Sequence, residues 1–277
     1  MSGAAGKSAH RLTGAVGALL EGYDLRRAQE PGEVEELRRA LAEHGVIFFR
    51  GQRLSDAEMA AFVSCFGQIQ PSRAGGEAHS PVTTGNLAPT RYSTAVWHAD
   101  VTWIPAPPIA TALRAVRLPP VGGDTCWLGT EAAYDALSQP FRHMLDGLTA
   151  VHSMRPTLDR EPALAGYLDK GAAVMESVHP VVRVHPQTGR KSLYVNECST
   201  VRIVELSLAE SAGVLAVLFA HIRSPHFSLR WHWSPDDVAI FDNRNTQHFA
   251  VPDYAEERVM QRAQLAGEVP VGPQSTV

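Results

Sequence analysis

The chain has 277 residues, 44% of them hydrophobic and 19% charged, with a formal net charge of −4. That balance is ordinary for a globular protein and gives no reason to expect nucleic acid or a membrane surface as a partner. The three cysteines, Cys65, Cys126 and Cys198, form no CxxC pair. They suggest neither a structural zinc site nor a disulfide framework, and a reducing, cytoplasmic setting fits best.

The length suits one large β-barrel or sandwich with added helices. No cationic leader and no apolar run near ~18 residues occurs, so neither a signal peptide nor a membrane span is expected. Residues 1–10 are small and polar and are expected to be disordered, 11–270 to form a single domain, and 271–277 to be a tail.

Val34, Leu37 and Leu41 recur at helical spacing from Glu33 to Glu43, and His44-Gly45 stops that helix. Val46–Phe49 reads as a buried strand. Ser55 and Glu58 form a capping box ahead of a second helix carrying Met59, Phe62 and Phe66. Residues 71–95, rich in Gly, Pro, Ser and Thr, read as a long functional loop. Strands are expected at Leu113–Leu118, from Thr125, at Val178–Val184 and at Ser192–Val195, the last two as a hairpin. Short helices are expected at Glu131–Leu137 and Pro140–Leu148, and residues 155–177 read as an irregular lid. Ser207 and Glu210 cap a further helix. Phe227, Leu229, Trp231 and Trp233 then alternate with polar residues, and strands follow at Val238–Phe241 and Arg258–Ala266. Many short strands, with helices mostly near the N-terminus, suggest a mainly β fold with added helices, its antiparallel sheet closed or rolled.

Three clusters carry chemistry. His98 and Asp100 stand two apart in a segment that reads as extended, which would point both to one side. Imidazole and carboxylate together suit Fe(II) or Mn(II) better than a thiolate-loving ion. His248, in Asp242-Asn243-Arg244-Asn245-Thr246-Gln247-His248, follows a strand that a jelly roll can bring beside them. Two histidines and one carboxylate would occupy one face of a metal ion and leave three positions open, as in non-haem iron oxygenases. On the last strand, Arg258 and Arg262 share a face with Met260 between them. Two inward guanidinium groups are costly unless each meets an anion, which points to two anion sites beside the metal.

With these clusters the chain resembles the taurine dioxygenase (TauD/TfdA) family of Fe(II)- and 2-oxoglutarate-dependent oxygenases. The matching pieces are Trp97-His98-Ala99-Asp100-Val101-Thr102, Gly122-Gly123-Asp124-Thr125, His179-Pro180-Val181-Val182-Arg183, Tyr194-Val195-Asn196-Glu197, Asp242-Asn243-Arg244 through His248, and Arg258 to Arg262. The resemblance implies a double-stranded β-helix (jelly-roll) core. It implies His98, Asp100 and His248 as iron ligands, and Arg258 with Thr125 on the distal carboxylate of 2-oxoglutarate. Arg262 matches the arginine that holds the substrate sulfonate. Dioxygen is the second cosubstrate, the partner is a small molecule, and a homodimer or homotetramer is expected.

The chain departs from the taurine enzyme where that enzyme lines its substrate pocket. A histidine, an asparagine and two phenylalanines are here Ser72, Thr94, Leu158 and Ser199. Their loss argues against taurine itself, while Arg262 keeps an acidic substrate in view; the alkylsulfatase and aryloxyalkanoate dioxygenases look like comparable relatives. Asn196 is a further candidate for the pocket. His179, His185, His226 and His232 read as packed or hydrogen-bonded histidines, Trp231 and Trp233 as wall, and Asn243 as a turn residue that orients the His248 loop. The expected reaction is hydroxylation of an anionic substrate with release of succinate and carbon dioxide, cleaving a C–S or C–O bond where the new hydroxyl collapses. The alternatives are desaturation or ring formation on the same iron core, or a zinc-binding barrel without oxygenase activity.

Overall fold

The structure is a computed structural model that describes residues 6–70, 83–86, 95–160, 162 and 174–273. Its spine is an eight-stranded sheet of β1 (Ser8–Arg11), β2 (Ala18–Glu21), β3 (Val46–Phe49), β4 (Ile69–Gln70), β5 (Thr83–Asn86), β6 (Ala110–Arg117), β14 (Val238–Asp242) and β16 (Val259–Leu265). The order is β1-β2-β3-β14-β6-β16-β4, with β5 also on β16. All pairs are antiparallel except β2 with β3. A three-stranded sheet has β7 (Thr125–Gly129) between β13 (Ser228–Trp231) and β15 (Thr246–Ala250). A third joins β8 (Thr149–Ser153), β9 (Glu176–Pro180) and β12 (Thr200–Ile203), and β10 (Val182–Val184) pairs with β11 (Lys191–Leu193).

Alternation along the central strands sorts side chains into two layers. Val46, Phe48, Ala239, Phe241, Ala115 and Met260 pack against Trp127, Leu229 and Trp231 of the smaller sheet. Phe48 lies flat on Trp231, with centroids 4.0 Å apart and planes at 16°, and edge-on to Trp127. Truncating Phe48 to alanine would cost about 3–5 kcal/mol. The intervening residues, Ile47, Phe49, Val238, Ile240, Ala112 and Ala263, turn to the other face. There they bury Leu37 and Leu41 of α1 (Pro31–His44) and Met59, Phe62 and Val63 of α2 (Asp56–Ser64). The two sheets thus face each other as a rolled jelly roll; among the described strands no pairing closes them into a barrel.

Helix starts follow their sequence signals. Ser55 and Glu58, and Ser207 and Glu210, form reciprocal capping boxes on α2 and on α6 (Leu208–Ile222). α1 stops at Gly45, whose φ of +71° favours glycine and whose Cβ, if present, would lie 2.6 Å from Thr246 Cγ2. α3 (Thr130–Asp135), α4 (Gln139–Leu145) and α5 (Arg155–Arg160) are short.

Several expectations are corrected. Ser8–His10, within the segment 1–10 expected to be disordered, belong to β1 and pair with β2. The loop 71–95 contains β5. Residues 155–160 of the segment expected to be an irregular lid form α5, and 161 and 163–173 lie outside the described residues. The Val178–Val184 strand breaks at Val181, whose N–H and C=O leave the ladder to meet Leu148 and Tyr194. The alternation through Trp233 gives a strand only over Ser228–Trp231, because Phe227 sits in a 3-10 turn.

Candidate metal and cosubstrate site

His98 and His248 meet through their backbones. Each donates its N–H to the other's carbonyl, at 3.1 and 2.9 Å, which sets their imidazoles side by side with centroids 4.3 Å apart. His98 lies in this isolated bridge rather than in a strand, and Asp100 opens a turn in which Val101 takes φ +54°. The expected two-residue periodicity is therefore not what brings His98 and Asp100 together. The turn folds the Asp100 side chain back toward both rings.

Asp100 Oδ1 lies 3.9 Å from Nε2 of each histidine. The Nδ1 of His98 is 2.8 Å from the Val96 carbonyl. A carbonyl can only accept, so the proton sits on Nδ1 and the Nε2 lone pair faces Asp100. Among the described residues, these three are the one group of His, Cys, Asp or Glu able to converge on an ion. Burial pushes the His98 imidazole below its ordinary range and the His248 imidazole down to about 3. Burial works to raise the Asp100 carboxyl, but the Arg262 guanidinium beside it, with the hydrogen bond from Thr111, outweighs it and holds it well below the usual carboxylate range. Two neutral imidazoles and an anionic oxygen are the donor set that Fe(II) takes, with positions left for other ligands.

Asp100 is fixed from all sides. Its Oδ2 accepts from Thr111 at 2.8 Å and Gln264 at 3.3 Å, and Arg262 Nη2 stands 2.8 Å away. Asn243 Oδ1 accepts its backbone N–H at 2.6 Å, while Asn243 Nδ2 donates to the carbonyls of Asp100 and Pro108. Asn243 thus orients Asp100, where the sequence suggested the His248 loop. That loop is held instead by Asp242, which receives Arg244 and His185. Neither Thr111 nor Gln264 carries a sequence signal, since each is an ordinary polar residue in a strand.

Arg258 is buried. It donates Nε to the Gly123 carbonyl at 2.8 Å and Nη2 to Thr125 Oγ1 at 3.1 Å. Gly123 has φ +74°, and a Cβ there would press to 3.1 Å on Arg258 Cδ, so glycine makes the cradle. Among the described residues no carboxylate lies within ion-pair distance of Arg258, a buried cation without a protein counter-ion.

Arg262 differs from expectation. The strand starts only at Val259, after Arg258, and its ladder slips between Val259 and Met260, so the expected shared face does not run unbroken from Arg258 to Arg262; the Arg262 side chain is 41% exposed and paired to Asp100. Glu197 meets Arg223. Asn196 and Ser199 are also corrected. Both are buried in an internal network in which Asn196 Oδ1 accepts from the N–H groups of Cys198 and Ser199, and Ser199 Oγ meets Thr102 at 2.5 Å. Their polar atoms are committed to the protein. Leu158 is buried on α5. Ser72 and Thr94 lie outside the described residues.

This geometry has counterparts. The family described as "Taurine catabolism dioxygenase TauD, TfdA family" matches residues 8–264. The chain belongs to the TauD/TfdA family. It is 39% identical to an alpha-ketoglutarate-dependent sulfate ester dioxygenase of Pseudomonas putida, over 95% of this chain and 90% of that one. It is 37% identical to an alkylsulfatase of Acinetobacter baylyi, over 95% and 86%. A putative alpha-ketoglutarate-dependent taurine dioxygenase from Burkholderia xenovorans superposes with a TM-score of 0.84 at 35% identity, covering 97% of this chain and 95% of that one. AAD-2 in complex with Mn(II) and N-oxalylglycine superposes at 0.81 with 26% identity, covering 96% and 99%. As a member of this family the chain is an Fe(II)- and 2-oxoglutarate-dependent dioxygenase with a jelly-roll core, acting on a small molecule with dioxygen. Among the described residues no helix is long and apolar enough to cross a membrane.

Proposed function

We propose that this TauD/TfdA dioxygenase oxidises a small organic anion of the sulfate-ester or sulfonate class, and that residues 11–270 act as one catalytic unit in the cytoplasm, as a homo-oligomer. His98, Asp100 and His248 hold Fe(II); Arg258 and Thr125 hold the distal carboxylate of 2-oxoglutarate. Bound together, the metal, cosubstrate and dioxygen supply the power to insert oxygen into a substrate C–H bond, leaving succinate and carbon dioxide. When the oxidised carbon bears a sulfate or sulfonate, the new hydroxyl collapses to a carbonyl and the sulfur group leaves as its anion.

The observation that carries the anionic substrate is the charge around Asp100. Divalent iron, dianionic 2-oxoglutarate, Asp100, Arg258 and Arg262 together leave one positive charge beside the open face, because both imidazoles are held neutral. A monoanion neutralises it. The names of the sulfate ester dioxygenase and the alkylsulfatase support the same class. The test is succinate formation with alkyl sulfates, alkyl sulfonates, taurine and neutral esters of matched length. The alkyl sulfates should be the best substrates and taurine a poor one; preference for a neutral ester would overturn the reading.

A further inference from the structure

The turn that carries Asp100 is held on both sides of Val101. Before it, Asn243 binds the N–H and the carbonyl of Asp100. After it, the carbonyls of Thr102, Trp103 and Ile104 all receive donors from β9. His179 Nε2 lies 2.8 Å from the Thr102 carbonyl and 3.1 Å from that of Ile104. Carbonyls only accept, so this nitrogen carries the proton and shares it between the two. Ser177 Oγ donates to the Trp103 carbonyl at 3.0 Å. Ser177 and His179 stand two apart on one strand and so face the same way.

Val101 is the residue that needs this support. It is β-branched and takes φ +54°, a region that branched side chains avoid. Such a backbone persists only where its surroundings over-determine it. Relaxation of Val101 to negative φ would turn Asp100 relative to the three residues that follow. Asn243 and β9 grip the chain on either side of that rotation and oppose it. His179 itself is fixed. It is 3% exposed, and its ring packs edge-on against His152 and Tyr194, with centroids 5.2 and 5.8 Å away.

We propose that His179 is a positioning residue for the metal site. With Ser177 it clamps the Thr102, Trp103 and Ile104 carbonyls, holds Val101 at positive φ and so keeps Asp100 folded toward His98 and His248. It acts through the backbone of the turn. The proposal rests on the reading of His98, Asp100 and His248 as metal ligands.

The test is titration of Mn(II), read by the electron paramagnetic resonance of the free ion, into metal-free protein. The proteins are wild type, His179→Leu, His179→Gln, Ser177→Ala, Val101→Gly and the Val101→Gly, His179→Leu pair, with Tm measured for each. His179→Leu removes the donor and keeps an apolar body; it should weaken Mn(II) about tenfold or more. His179→Gln, with an amide N–H in place of Nε2–H, should recover most of that loss. In Val101→Gly protein the His179→Leu change should weaken Mn(II) less than in the wild type, because glycine takes positive φ without strain. A histidine that only packs the core would lower Tm and leave the affinity of the folded protein unchanged. Wild-type affinity in His179→Leu, or a loss that is the same with Val101→Gly, overturns the proposal. If His179→Leu does not fold, Ser177→Ala decides: a loss of about threefold or more supports the clamp, and no loss overturns it. Wild-type protein that takes up no Mn(II) would sink the ligand assignment itself, and the proposal with it.

Discussion

Arg262 and Asp100 form an ion pair, Nη2 to Oδ2 at 2.8 Å, while Oδ1 of the same carboxylate is directed at the two histidines. One side chain therefore joins the proposed substrate cation to a proposed metal ligand. Arg262→Ala should raise KM for an anionic substrate about tenfold or more while leaving KM for 2-oxoglutarate within about twofold. It should also raise the Asp100 pKa, so that metal binding is lost at a higher pH on the acid side than in the wild type. Metal affinity measured against pH checks this, and an unshifted acid limb would show that the pair does not matter to Asp100.

Arg258 is expected to act on the cosubstrate alone. Arg258→Gln should raise the 2-oxoglutarate requirement by tenfold to more than a hundredfold, the value of a charge-assisted forked contact of about 1.5–3 kcal/mol. KM for the organic substrate should move far less. Steady-state kinetics with 2-oxoglutarate varied decides it, and an unaltered dependence would mean that Arg258 holds only Gly123 and Thr125.

Thr111 donates to Asp100 Oδ2 from the neighbouring strand and is fully buried. Thr111→Val keeps the shape and removes the donor. Loss of such a supporting contact typically costs 10–100-fold in metal affinity. A competitive Fe(II) titration should show at least the lower end of that range, with Tm lowered by only a few degrees. Unchanged affinity would assign the orientation of Asp100 to Asn243 and Arg262.

The parts legible in the sequence are those set by local rules. The capping boxes of α2 and α6, the apolar face of α1 and the buried strand Val46–Phe49 depend on neighbours a few residues away. His98, Asp100 and His248, which the structure brings to one point, each stand in a short, unusual motif. What was not legible depends on contacts across the fold. Asp100 reaches its histidines through a turn with Val101 at positive φ, which an H-x-D spacing cannot reveal. Ser8–Arg11 is polar and mostly exposed, and becomes a strand because β2 offers an edge. Asn196 and Ser199 look like pocket residues until the buried Thr102 and His152 take their polar atoms.

His152 gives a pH prediction. Burial, with the neighbouring His179, pushes it down to about 3, and His248 is lowered as far. In the unfolded chain a histidine takes its proton near pH 6.5, so between about 6.5 and 3 the unfolded state binds protons that the folded state refuses. Stability of the metal-free protein should therefore fall as pH drops through that window, by up to ~1.4 kcal/mol per pH unit for each such group. Urea unfolding of His152→Gln should show a slope shallower by about one proton. The same slope as the wild type would mean that His152 is protonated in the folded protein.

The account rests most heavily on His98, Asp100 and His248 as the iron ligands. The direct measurement is anaerobic Fe(II) binding, with succinate formation, in wild-type, His98→Ala, Asp100→Ala and His248→Ala protein whose circular dichroism shows the fold intact. The prediction is stoichiometric iron in the wild type, and loss of both iron and substrate-dependent succinate in each variant. Asp100→Ala protein that retains full iron content and unchanged turnover would contradict it.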